Sequence, residues 1–106
     1  MAKTATMDPA REAYQQRMQA QIDLWKSEIS RLRAKLLLVD ANNRINGQRK
    51  LQEIERSYEK TVKEFEQLTH ASANKWEDVK LTVSTAAEQV KREIEIVRRE
   101  IEQFVK

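Results

Sequence analysis

A chain of 106 residues in which 35% of side chains are charged, with one glycine, one proline and no cysteine, is one small domain whose composition suits long helices. It excludes disulfides, thiolate metal sites and thiol nucleophiles, and argues against sheets. The net charge of +3 comes from the first half, where eight basic side chains face five acidic ones up to Gly47 against twelve of each beyond it. That bias is too small for a polyanion-binding tail.

The opening MAKTATMDPA lacks an apolar signal-peptide core, and the longest apolar run, Leu36 to Val39, is far below the ~18 residues of a membrane span. A soluble, cytoplasmic protein is therefore expected, with residues 1–7 disordered and 8–106 forming one helical domain. Asp8-Pro9 is a good helix start, because aspartate caps free N–H groups and proline at the first position loses a donor that had no partner. From there Tyr14, Met18, Ile22, Trp25, Ile29, Leu32, Leu36 and Val39 recur at steps of three and four, which puts them on one stripe of an α-helix.

Past Val39 the same rhythm reaches Asn43, Asn46 and Lys50, none of which can serve as an apolar knob. The stripe resumes one residue out of step at Leu51, with Ile54, Tyr58, Val62, Phe65 and Leu68. Asparagine and glycine tolerate the left-handed conformation that ends helices, so a turn is predicted at residues 42–47. The alternative keeps the asparagines inside a continuous coiled-coil helix. That would give a two-helix hairpin with a first rod of ~95 Å at 1.5 Å per residue, needing a second chain to cover its seam.

A second boundary is predicted in THASANKWEDVK, where Asn74 and Glu77 have the spacing of a capping box and Asp78 adds charge suited to a helix start. The third stripe is Trp76, Val79, Val83, Ala86, Val90, Ile94, Val97, Ile101 and Phe104. The predicted fold is all-α, an antiparallel bundle or coiled coil of three long helices at about 8–41, 48–70 and 74–105. Asp40–Arg44, Glu59–Lys63, Glu88–Arg92, Glu95–Arg99 and Glu102–Lys106 have the favourable i,i+4 order of acid before base, each contributing about 0.2–0.5 kcal/mol.

Little in this inventory resembles reaction chemistry. His70 is the only histidine and is expected to face solvent at a helix end; a nucleophilic triad or a zinc site needs more partners than it has. The pairs Glu53/Glu55, Glu64/Glu66 and Glu93/Glu95 point about 200° apart on a helix and cannot share a substrate. A single glycine excludes a glycine-rich phosphate loop. No catalytic, metal or cofactor residue is predicted. Trp25 and Trp76 lie on the stripes as core residues. Helical angles scatter Arg31, Arg33, Lys35, Arg44, Arg49 and Lys50, which makes nucleic acid an unlikely partner.

The segments YQQRMQAQIDLWKSEISRL (Tyr14 to Leu32) and LTHASANKWEDVK (Leu68 to Lys80) resemble a group of small bacterial coiled-coil proteins of about a hundred residues, mostly without assigned function. The second is similar to the group's Ala-Ser-Gly-x-x-Trp segment, with Ala73 in place of the glycine; Ala87 stands where a second tryptophan is common. The resemblance implies a helical fold and no activity. The secreted W-x-G hairpins are a different pattern, since neither tryptophan here is followed two residues later by glycine.

The expected function is non-catalytic: self-association into a homo-oligomer, or docking to a helical protein partner. The seam residues expected to matter most are Trp25, Leu32, Leu36, Ile54, Phe65, Trp76, Val83, Val90 and Ile101. Reversible membrane-surface binding by the two-faced last helix is the alternative. Nucleic-acid binding through the basic first half is the weaker one.

Overall fold

The computed structural model describes residues 8–105. Three helices follow one another, α1 (Pro9–Leu36), α2 (Ala41–Thr69) and α3 (Trp76–Phe104), folded up-down-up into a bundle of 58 × 19 × 15 Å. The chain is an all-α three-helix bundle. Each helix is 28 or 29 residues long, about 42–44 Å at 1.5 Å per residue, so each covers its neighbours end to end. Residues 1–7, expected to be disordered, lie outside the described residues.

The first helix begins as its sequence predicts, with Asp8 accepting from the Ala10 N–H at 3.1 Å and Pro9 just behind it. The first turn lies earlier than expected: the chain reverses at residues 37–40, and the predicted turn residues 42–47 are inside α2. This also rules out the continuous rod. The cause is Asp40, whose carboxylate accepts from both the backbone N–H and the side-chain amide of Asn43, at 2.9 and 3.0 Å. Asparagine here satisfies a helix start instead of ending a helix.

The turn needs no left-handed residue, and none occurs among the described residues. The N–H groups of Leu37, Leu38 and Val39 tighten instead onto the carbonyls of Ala34, Lys35 and Leu36, the three-residue spacing typical of a closing helical turn. Arg44 then reaches back to the carbonyls of Leu36, Leu37 and Val39. Gly47 is a point of close approach: a side chain there would occupy the place of the Leu36 Cδ2 methyl.

The second boundary also differs in its chemistry. α3 starts at Trp76 with Lys75 before it and no side-chain cap. Asn74 accepts from the Ser72 hydroxyl at 2.6 Å, so the predicted capping box with Glu77 does not form. The segment before α3 is held instead by Arg11, which donates to the Ala71 carbonyl at 3.0 Å and lies 4.2 Å from the Trp76 ring centre. Tyr14 meets the same indole edge-on at 5.9 Å and bonds the Ser84 hydroxyl at 2.8 Å.

One core runs the length of the bundle and contains all nine predicted seam residues. Thr61, absent from the predicted stripe, is fully buried, whereas Val62 is only partly so. Its hydroxyl donates to the Ser57 carbonyl at 2.9 Å, which satisfies the polar atom locally and leaves the methyl to pack. Of the predicted i,i+4 pairs, Asp40–Arg44, Glu59–Lys63, Glu88–Arg92 and Glu95–Arg99 form no ion pair; Lys106 lies outside the described residues. The charges link helices instead, as Arg33–Glu55, Lys35–Glu102 and Lys50–Glu100.

Candidate docking surfaces

Because the seams are consumed inside one chain, any partner must meet what is left outside. α2 packs on α3 most extensively and α1 on α3 least. The slack between α1 and α3 opens a cleft of about 400 Å³. Trp25, Leu32 and Ile94 form its floor, and its lips carry Glu28, Arg31 and Lys35 from α1 with Lys91, Glu95, Arg98 and Glu102 from α3. At one end the lips are tied by Lys35 and Glu102 at 3.4 Å. The floor residues are themselves buried, so a partner lying in the cleft would meet chiefly its charged lips.

A second surface is the end of the bundle where α1 turns into α2 and α3 finishes. Leu37, Leu38 and Ile45 are 65%, 70% and 69% exposed there, and Phe104 46%. Between α2 and α3 at this end is a hollow of about 240 Å³ lined by apolar residues such as Leu36, Ile101 and Phe104 and, in similar number, by polar ones such as Asn46, Lys50 and Glu100. Leu37, Leu38 and Ile45 lie off the stripes that periodicity marks. The available signal was that large apolar residues stand off the stripe on both sides of a helix boundary.

His70 is exposed at the end of α2, and among the described residues no three histidine, aspartate or glutamate side chains gather as a metal site would require. Several of the basic residues named in the sequence are engaged: Arg33 with Glu55, Lys35 with Glu102, Lys50 with Glu100, and Arg44 with backbone carbonyls. The Tyr58 phenol is held above its ordinary pKa by partial burial and, secondarily, by the Asp23 carboxylate. Asp40 lies below the usual carboxylate value, chiefly because the Asn43 backbone N–H donates to it.

No described helix is long and apolar enough to cross a membrane. Compared with protein-family models, curated proteins and solved structures, the chain matches none. What the fold and its surfaces define is thus a class, a three-helix bundle with an open cleft on one side and an apolar end.

Proposed function

We propose that this chain is a non-catalytic helical protein that acts by association, with itself or with a helical protein partner. The open cleft between α1 and α3 carries this reading. Two helices packed on a common third leave a groove whose floor residues Trp25, Leu32 and Ile94 are already buried, so a further helix lying there would be held chiefly by the charged lips. A cytoplasmic setting is part of the proposal.

Light scattering across a concentration series checks it. The native chain should rise above the 12.5 kDa of one copy, and Leu32→Asp should lose both association and helicity. A chain of single mass at every concentration removes self-association. Docking to another helical protein would then require a partner whose binding is lost in a variant with charged residues in the cleft lips.

A second reading is reversible contact with a membrane surface, favoured by the exposed Leu37, Leu38, Ile45 and Phe104 at one end. The apolar face of α3 is buried by α1 and α2, so lipid contact through that helix requires the bundle to open, whereas the end can touch a surface intact. Cosedimentation with anionic vesicles at physiological salt, lost in Leu37→Asp/Leu38→Asp, is the expected result. Absence of native pelleting removes this reading. Nucleic-acid binding has the least support, because so many of its candidate cations are already paired.

A further inference from the structure

At two successive levels the lips of the α1/α3 cleft carry like charges, between the opposite charges of Lys35 and Glu102 at one end and Lys91 on α3 at the other. α1 and α3 run parallel, and the Lys35–Glu102 contact fixes their relative level. Four residues back from that contact, Arg31 on α1 stands level with Arg98 on α3. Seven residues back, Glu28 stands level with Glu95. All four line the cleft, so a band of two cations lies beside a band of two anions.

Within one chain these two levels set like charges on facing lips, and each acid has an opposite charge only three residues on along its own helix. Reversing the order on either lip would have made two cross-groove ion pairs. As it stands, Glu28, Arg31 and Glu95 join no ion pair among the described residues, and Arg98 meets only Glu102, at 3.8 Å. The bands are complementary to their own inverse. The geometry points to a second copy of this chain, docked antiparallel with lips against lips across the mouth of the cleft, about a two-fold axis between the bands, so that Glu28 and Glu95 of each copy face Arg31 and Arg98 of the other. Parallel docking would set acid on acid and base on base, so the pattern selects orientation as well as partner. This rests on the associating role proposed above and names its partner and geometry.

The axis crosses about ten residues, or ~15 Å, from the α1–α2 turn. It thus lies ~43 Å from the far end of a molecule 58 Å long, and by the same helical rise the dimer should be ~85 Å long. An overlap of ~30 Å along helices of 1.5 Å rise is small for an interface, so the dimer should be weak and concentration-dependent.

The experiment exchanges the bands. Arg31→Glu/Arg98→Glu makes both bands acidic and Glu28→Arg/Glu95→Arg makes both basic; the four positions are exposed, so each variant should keep native helicity by circular dichroism. Sedimentation should show each variant alone as a monomer, with at least tenfold weaker association than native. Their equimolar mixture should regain a heterodimer with a maximum dimension near ~85 Å by small-angle scattering. A native chain that associates while both variants associate equally well overturns the cleft assignment and leaves self-association standing. A native chain that never associates overturns both.

Discussion

The two ends of the bundle are built on opposite plans. At one, Arg11, Tyr14 and Trp76 close the start of α1 over the start of α3 with a guanidinium on an indole, an edge-on ring pair and two hydrogen bonds. At the other, two leucines and an isoleucine face solvent, a hollow separates α2 from α3, and the turn is held largely by polar contacts of Asp40 and Arg44 to the backbone. A bundle whose helices match in length could be sealed equally at both ends. The difference teaches that the first end is closed by aromatic and cationic side chains, while the second, though Leu36, Val39 and Ile101 are buried beneath it, leaves apolar side chains open to contact.

The largest expected effect tests that division directly. Trp76→Ala removes a buried indole together with the partners of Arg11 and Tyr14, and should cost about 3–5 kcal/mol in urea unfolding. Phe104→Ala, at the open end and half exposed, should cost less than about 1 kcal/mol, within the range of surface changes. Equal losses would show that the ends contribute alike.

Much of this architecture was legible in the sequence because apolar spacing reports burial directly. All nine seam residues, the helical class and the Asp8-Pro9 start follow from side chains acting on their own helix. The turn between α1 and α2 was not legible, for a physical reason: Asn43 and Gly47 are read as helix-ending residues by their backbone tolerance, but what each does depends on a neighbour. Asn43 serves the carboxylate of Asp40, and Gly47 makes room for Leu36. The cap expected at Asn74 failed likewise, because its Oδ1 is taken by Ser72. The docking surfaces were hidden for a further reason: an open cleft depends on how far apart two helices settle, which periodicity within either one does not record.

Gly47 offers a sharper probe of the open end. In an exposed helix, replacing glycine with alanine stabilises by about 1 kcal/mol. Here the added methyl displaces Leu36, which is itself buried, and overpacking of that kind costs about 1–3 kcal/mol. Gly47→Ala should therefore lower stability by about 1 kcal/mol in the native chain. In a Leu36→Ala background the space is vacant, and the same substitution should raise stability by about 1 kcal/mol. A double-mutant cycle in urea reads the coupling; the same effect in both backgrounds would mean the helices do not meet at Gly47.

The smallest expected effect belongs to Asp40, which sets where α2 begins. Its carboxylate is held below the ordinary value of 3.8, first by the Asn43 backbone N–H and next by the Asn43 side chain. A carboxyl depressed in the folded state binds its proton more tightly when unfolded, so its stabilisation is complete above pH 3.8 and fades as pH falls through the lower folded value. Asparagine caps helices about as well as aspartate and does not titrate. Asp40→Asn should thus keep nearly the native thermal midpoint at neutral pH and fall less steeply in acid, while Asp40→Ala should be lower at neutral pH and likewise lack the acid step. Solvent around this exposed carboxylate keeps the difference small, so the comparison rests on the shape of the pH profile. Parallel acid profiles for native chain and Asp40→Asn would mean that α2 is not started by this cap, and the open end would need another explanation for where its turn falls.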